Sequence, residues 1–204
     1  MDKTVYLVDD DASVISSLQN LLGSAGYNVL AYISPADFLS EAEYSIPSCL
    51  IVDLNMPGLD GFDVSQTLMG RGYSIPTIFL TGFGTIPITV KAMKAGAFEF
   101  LTKPVMPDAL LQVIADAMAL SEKSDAAARE KLLLTGRYQS LTPRERELMQ
   151  LVMQGLLNKQ IAAEMGISEI TAKVHKRRVM EKMMVRSVSE LVRTAEKLHL
   201  LDDK

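Results

Sequence analysis

Four short apolar runs are each followed closely by residues able to do chemistry. Val5-Tyr6-Leu7-Val8 leads into the Asp9-Asp10 pair, and Cys49-Leu50-Ile51-Val52 into Asp53. Thr77-Ile78-Phe79-Leu80 leads into Thr81, and Phe98-Glu99-Phe100-Leu101 ends shortly before Lys103. Three carboxylates, a hydroxyl and an ammonium suit a divalent cation and a phosphoryl group. Adjacent carboxylates repel one another unless a cation holds them, and Mg²⁺ is a hard ion that takes oxygen ligands and keeps part of its water. Beside such an ion a carboxylate can attack phosphorus and form an acyl phosphate. Thr81 would then hydrogen-bond one phosphoryl oxygen and Lys103 would neutralise another. Any one of these aspartates alone reads equally well as a helix N-cap; only the set points to chemistry. Lys103-Pro104 is a candidate cis peptide, which would aim the lysine inward.

The set works only if the runs are strands whose ends meet. Apolar strands are predicted at 4–8, 28–32, 48–52, 77–80 and 98–101, alternating with helices near 11–24, 35–43, 60–69, 85–94 and from 107 onward. Val14, Ile15, Leu18, Leu21 and Leu22 give the first helix its apolar face, and Gly23 and Gly26 stop it. Five such units predict a doubly wound, five-stranded parallel sheet covered on both faces. The carboxyl ends of its strands share one edge, where ligands collect. Residues 121–139 read as a charged, semi-rigid helical continuation of the fifth helix, with Gly136 near its end.

Beyond Leu141 the strands cease. Thr142-Pro143-Arg144-Glu145 is a capping box with proline at the first helical position. The helix it opens turns Leu148, Leu151 and Val152 inward and ends near Gly155. Asn158 is expected to cap a second helix bearing Ile161, Ala162 and Met165, and Gly166-Ile167-Ser168 to turn into a third over 169–183. A fourth, around 188–198, carries Val188, Leu191, Val192, Ala195 and Leu198. Two short helices joined through a glycine turn form a helix-turn-helix.

Charge divides along the same line. Of 204 residues, 1–139 hold 9 Lys/Arg against 16 Asp/Glu, net −7, whereas 140–204 hold 12 against 9, net +3. An acidic part joined to a basic part predicts two domains with different partners. No apolar stretch is long enough to span a membrane, and Met1-Asp2-Lys3-Thr4 shows no signal-peptide pattern. Cys49 is the only cysteine, which excludes an intramolecular disulfide and predicts a cytoplasmic protein with a buried thiol.

Asp-Asp after the first strand, Asp-Leu-Asn-Met-Pro-Gly after the third, Thr-Gly after the fourth and Lys-Pro after the fifth together resemble bacterial response-regulator receiver domains, over about residues 1–120. The resemblance implies a flavodoxin-like fold in which Asp53 accepts phosphate from a sensor histidine kinase. It makes Asp10, Asp53 and the Asn55 carbonyl direct Mg²⁺ ligands and Asp9 a ligand through water; Asp11 would cap the first helix. Thr81 and Phe100 would form the output switch, with phenylalanine leaving a packing switch where many receivers have a hydrogen-bonding tyrosine. A plain core aromatic is the competing reading of Phe100. Thr-Gly-Phe-Gly-Thr-Ile-Pro and Val-Asp-Asp-Asp are similar to the FixJ-type subfamily, which often has His and Asp where Phe83 and Thr85 stand. Receivers of this family pair through the face to which Ile86, Val90, Met93 and Ala97 belong, although core packing is the default for each.

Leu-Thr-Pro-Arg-Glu-Arg-Glu, Gly-Leu-Leu-Asn-Lys-Gln-Ile-Ala and Gly-Ile-Ser-Glu-Ile-Thr-Ala-Lys-Val-His resemble the LuxR-type DNA-binding domain over 141–198. On the third helix Ala172, His175, Val179 and Met183 share one face and Thr171, Lys173, Val174, Arg177 and Arg178 lie elsewhere. By resemblance Lys173, Val174 and Arg177 reach the groove and Lys159, Lys176 and Arg178 reach phosphate, with Thr171 a further DNA-binding residue. Lys182 belongs to the same basic run, whose bland reading is a solvated face, and His175 reads equally as phosphate contact or packing. The expected organisation is a receiver at 1–120, a helical linker at 121–139 and an all-α helix-turn-helix domain at 140–204. The expected function is a two-component transcriptional regulator, not an enzyme, that forms a homodimer on phosphorylation and meets double-stranded DNA and RNA polymerase but no membrane. The competing class is a haloacid-dehalogenase-type phosphatase, suggested by Asp9-Asp10-Asp11-Ala12-Ser13, which leaves Asp53 and the C-terminal helices unexplained.

Overall fold

A computed structural model describes residues 3–82 and 84–200. The departure noted at Phe83 therefore lies outside the described residues. The first part alternates β1 (Thr4–Val8), α1 (Ala12–Ser24), β2 (Asn28–Tyr32), α2 (Pro35–Glu41), β3 (Ser48–Asp53), α3 (Gly61–Gly70), β4 (Thr77–Thr81), α4 (Ile86–Lys94) and β5 (Glu99–Thr102) before α5 (Pro107–Gln139). The strands are all parallel in the order β2-β1-β3-β4-β5, the flavodoxin-like doubly wound order that was expected.

Strand alternation decides what each layer contains. Val5 and Leu7 of β1, with Cys49 and Ile51 of β3 and Ile78 and Leu80 of β4, meet α1 and α5 through Ile15, Leu18, Leu22, Leu110 and Ile114. The intervening Tyr6, Val8, Leu50, Val52 and Phe79 face the other way, onto Phe38 of α2, Phe62, Val64 and Leu68 of α3, and Ala92 of α4. Because β1, β3 and β4 are buried along their whole length, they read as continuous apolar runs. Burial pushes the Cys49 thiol up to about 12, which leaves it a core residue.

By compactness the chain divides into two units, Met1–Asp125 and Ala126–Lys204, with the boundary inside α5. The helical continuation expected at 121–139 is present, and Gly136 lies within it. Its later turns belong to the second unit: Leu134 is buried, Tyr138 packs on that unit's core, and Glu130 pairs with Lys197 at 2.6 Å. The second unit continues with α6 (Pro143–Met153), α7 (Asn158–Met165), α8 (Glu169–Met183) and α9 (Val188–Lys197). Its core gathers Leu148, Val152, Ile161, Met165, Ala172, Val179, Met183, Leu191 and Ala195.

Two local expectations are corrected. Asn158 is the first residue of α7 and not its cap; Leu157 takes the cap position, and its N–H donates to Gln160 Oε1 at 2.8 Å. A glutamine at the third helical position thus reaches back to serve the helix start, so no cap side chain is needed. Lys182 leaves the solvated basic face. Its Nζ lies 2.6 Å from the buried Glu145 carboxylate and donates to the Ser140 carbonyl at 3.2 Å.

Glu145 also accepts the Thr142 N–H at 2.8 Å in the expected capping box, so one carboxylate fastens the start of α6 to the end of α8. Burial pushes the Glu145 carboxyl up, but the Lys182 and Thr142 donors outweigh it and hold the group below the ordinary carboxylate value of 4.5. Its contribution to stability is therefore present above that value and lost as pH falls through the depressed folded pKa. Glu145→Gln leaves Lys182 without its charge partner and is expected to cost about 1–3 kcal/mol at neutral pH. Calorimetric melts of the full chain check this, and the gap to wild type should narrow on acidification.

Candidate functional site

The order β2-β1-β3-β4-β5 reverses direction between β1 and β3, and there the carboxyl ends open a crevice. Asp9 immediately follows β1 and Asp53 ends β3, and both are buried. Lys103, just beyond β5, reaches between them: its Nζ is 2.5 Å from Asp9 Oδ2 and 2.6 Å from Asp53 Oδ1. The Lys103-Pro104 peptide is cis. The other Asp53 oxygen accepts the Asn55 N–H at 2.6 Å, and Asp9 Oδ1 accepts the Asp11 N–H at 3.0 Å. Asn55 Nδ2 donates to Thr81 Oγ1 at 3.3 Å, which joins the hydroxyl at the end of β4 to the same constellation.

The pocket thus unites Asp9, Asp53, Asn55, Thr81 and Lys103. Asp10 is exposed beside it, and Asp11 caps α1, its Oδ1 accepting the Ser13 N–H at 2.8 Å. Among the described residues no three His, Cys, Asp or Glu side chains gather closely enough to hold a metal by themselves. Two buried carboxylates nevertheless offer oxygen donors alone, and Mg²⁺ needs only one or two carboxylates while keeping water. The electrostatics agree with that fit. Burial pushes the Asp9 carboxyl above its ordinary value, and the Lys103 hydrogen bond does not bring it back. Burial pushes the Lys103 ammonium down, but Asp53 and Asp9 outweigh it and raise it. One ammonium between two buried carboxylates leaves net negative charge that a further cation would relieve.

Gly61 is a site residue that the sequence reading missed. A β-carbon there would stand 2.6 Å from the Asp53 carbonyl oxygen, so glycine is what lets α3 begin against the end of β3. The Asp60–Asp63 capping box fixes the same helix start through reciprocal bonds of 3.0 and 2.8 Å. Asp60-Gly61-Phe62-Asp63 was the available signal. Phe100 is half-buried against the α3/α4 core layer, and Ile86, Val90 and Met93 of α4 are exposed.

In the second unit Ala172, Val179 and Met183 are buried on one side of α8, while Lys173, Val174, Arg177 and Arg178 stand exposed. Lys176 and His175 are half-buried, and His175 Nδ1 is buried without a hydrogen-bond partner. Thr171 is exposed, with its hydroxyl 2.8 Å from that of the capping Ser168; Lys159 is exposed on α7. Lys173 pairs with Glu169 at 3.2 Å and Arg177 with Glu181 at 2.7 Å along the helix. Ile170 was also missed. It is 76% exposed at the first turn of α8, next to Val174 on the same face by i, i+4 spacing.

A doubly wound sheet with an acidic pocket bridged by lysine, followed by a helix-turn-helix unit, defines a response regulator with a DNA-binding output. Residues 5–115 match the response regulator receiver domain family, and residues 139–195 match the luxR family of bacterial regulatory proteins. The response regulator protein TmoT of Ectopseudomonas mendocina is 42% identical over 97% of this chain and 90% of its own length. The transcriptional regulatory protein FixJ of Bradyrhizobium diazoefficiens is 39% identical over 98% of this chain and 97% of its own. The solved structure of the response regulator StyR is 43% identical, covers 97% of this chain and 100% of its own, and superposes with a TM-score of 0.87. The chain belongs to the FixJ/NarL type of two-component response regulators, transcriptional regulators with a receiver and a LuxR-type DNA-binding domain. Both halves of the chain are accounted for in this way, which displaces the phosphatase alternative. No helix among the described residues is long and apolar enough to cross a membrane.

Proposed function

We propose that Asp53 is the phosphate acceptor and that its acyl phosphate controls DNA binding. The observation that carries this is the Lys103 ammonium bridging Asp9 and Asp53 at the sheet's switch point, with Asn55 tied to both Asp53 and Thr81. An Asp53 oxygen attacks the phosphorus of a histidine kinase's phosphohistidine; a P–O bond forms as the P–N bond breaks, and imidazole leaves. Lys103 turns to a phosphoryl oxygen, Thr81 donates to another, and Phe100 repacks behind it. A groove of about 570 Å³ beside Lys103 and Pro104, lined by Ser13, Val14, Ser17 and Leu18, gives the kinase an approach. Hydrolysis of the acyl phosphate in the same pocket resets the switch, so the protein is a regulator and not a turnover enzyme.

Mg²⁺, when bound, would offset the charge of the phosphoryl oxygens. Asp10, Asp53 and the Asn55 carbonyl would hold it, with Asp9 acting through water. Because the Asp9 pKa is raised in the folded state, the stability tied to its protonation is present below its ordinary value of 3.8 and lost as pH rises through the folded pKa. Ionised Asp9 is thus a cost to the fold at neutral pH. Asp9→Asn should melt higher than wild type in EDTA at pH 7, should lose that advantage near pH 4, and should gain less from added Mg²⁺. An equal Mg²⁺-induced shift in both proteins would remove Asp9 from the site.

The exposed apolar residues Ile86, Val90 and Met93 of α4 support homodimer pairing of phosphorylated receivers, and α9 supports pairing on DNA half-sites. Lys173, Val174 and Arg177, with Thr171, would read the major groove; Lys159, Lys176 and Arg178 would hold phosphate. We assign a receiver at 1–120, a helical linker at 121–139 whose last turns pack on the second unit, and a DNA-binding domain at 140–204, working in the cytoplasm with RNA polymerase. The test is a gel-shift titration with and without acetyl phosphate and Mg²⁺, on a duplex selected from random sequence by the treated protein. Affinity should rise with the donor, and equal affinity in both conditions defeats the coupling.

A further inference from the structure

A hollow of about 330 Å³ opens at the sheet edge opposite Asp53, where α3 ends, β4 and β5 begin, and α5 passes at Leu120 and Ser124. It lies wholly within the unit Met1–Asp125. Among the described residues no Asp, Glu, Lys, Arg or His lines it, although 23% of the chain is charged. Leu68 is buried in its wall and Phe98 half-buried, while Met69, Tyr73 and Leu120 rim it at 50%, 42% and 47% exposed. Large apolar side chains left exposed around one hollow form the kind of patch that a ligand covers. Ser65 is the polar group set into this lining. It is 5% exposed, and its hydroxyl has no hydrogen-bond partner among the described residues. A serine inside a helix either faces water or donates to the carbonyl four residues back, as the threonine at 67 does to Asp63 at 2.7 Å. Ser65 does neither, and a buried hydroxyl left unpaired carries a cost that a partner would remove.

We propose that this hollow is a binding site for an uncharged aromatic molecule carrying a hydroxyl, which Ser65 hydrogen-bonds. Each part of that description comes from the lining. An ionised group would lose its water there and meet no counter-charge. Tyr73 and Phe98 offer rings and Met69 a thioether, and both favour an aromatic partner over an aliphatic one. A ligand hydroxyl can accept from Ser65 and donate to Thr77, whose own hydrogen already goes to the Ile75 carbonyl at 3.1 Å. The volume is at the small end of ligand pockets, which run from about 300 to 1,000 Å³, and suits one or two fused rings. The site does not depend on phosphorylation of Asp53, which lies at the other edge of the sheet. It joins the starts of β4 and β5 to α5 just before the unit ends at Asp125, so a bound ligand braces that helix against the sheet.

Full-length wild type, Ser65→Ala and Ser124→Phe are titrated against naphthylmethanol, methylnaphthalene and naphthoate, which share their rings and differ in carrying a hydroxyl, a methyl or a carboxylate. The chain has no tryptophan, so naphthyl fluorescence anisotropy reads binding directly. Amide chemical shifts of isotope-labelled protein locate the site, and thermal melts confirm folding. Wild type should bind the alcohol about fivefold more tightly than the methyl compound, the worth of one hydrogen bond, and the carboxylate least of the three. The shifts should centre on Ser65, Tyr73, Phe98 and Leu120. Ser65→Ala, a good helix former, should bring the alcohol down to the level of the methyl compound and leave the latter unchanged. Ser124→Phe should crowd the mouth and weaken both neutral probes; if it fails to fold, Leu120→Lys removes part of the rim and should weaken the same pair. Absence of binding by the neutral probes, a carboxylate bound as tightly as the alcohol, shifts centred elsewhere, or an alcohol preference that survives in Ser65→Ala each overturns the inference.

Discussion

Asp53→Asn, incubated with acetyl phosphate and Mg²⁺, should take up no phosphate, and its DNA affinity should stay at the untreated level. The amide is not a nucleophile toward phosphorus, and among the described residues no other carboxylate is placed to replace it. Asp9 is buried and held by the Lys103 ammonium and the Asp11 N–H, whereas Asp10 is exposed beside the pocket. The fold should survive, because Lys103 keeps its 2.5 Å partner Asp9 and the substitution removes one of two crowded negative charges. The loss is therefore of response, amounting to the whole donor-induced gain in affinity, about 5–150-fold for coupling of ordinary size. Intact-protein mass spectrometry reads the modification and anisotropy reads the affinity. A mass gain of one phosphoryl group on the Asp53→Asn protein would place the acceptor elsewhere.

Arg177→Ala should weaken binding to the selected duplex by about 1–3 kcal/mol and relax the sequence preference at one base pair, as loss of a base-edge contact does. Lys159→Ala should weaken binding to all sequences alike and reduce the salt slope by about one unit. The difference follows from position: Arg177 stands on the exposed face of α8, Lys159 on the helix before it. The Arg177–Glu181 pair at 2.7 Å is solvent-exposed, so it orients the guanidinium without competing strongly with DNA. Ile170, exposed with Val174 on the same face, extends the prediction to apolar readout. Ile170→Ala should lower the preference for a thymine, whose methyl is the apolar feature of the groove. Repeating the random-sequence selection with each variant checks both claims; identical selected sequences for Arg177→Ala and wild type would move Arg177 to the phosphate-contacting class.

Much of this was legible because it rests on short-range rules. The strands are written as apolar runs since both faces of β1, β3 and β4 are covered, and the helices of the second unit carry their own caps at Thr142 and Ser168. Where the reading failed, the deciding partner lay far along the chain. Lys182 looked like one more charge in a basic run until α6 brought Glu145 to it from 37 residues away. The sequence reading passed over Gly61; its need for no side chain arises from the Asp53 carbonyl.

The sequence by itself determined the alternation of strands and helices, the candidate acidic, hydroxyl and ammonium groups of the pocket, and the two-part division of charge. Each follows from residue type and local spacing. Only the tertiary structure decided how those groups are joined: Lys103 bridges Asp9 and Asp53, Asn55 turns to Thr81, and Asp10 stands exposed beside the pocket. The reason is that strand order, and not sequence order, sets which ends are neighbours. With β1 beside β3 the ends bearing Asp9 and Asp53 adjoin, and Lys103, carried past β5 and 94 positions from Asp9, reaches across the sheet edge to both.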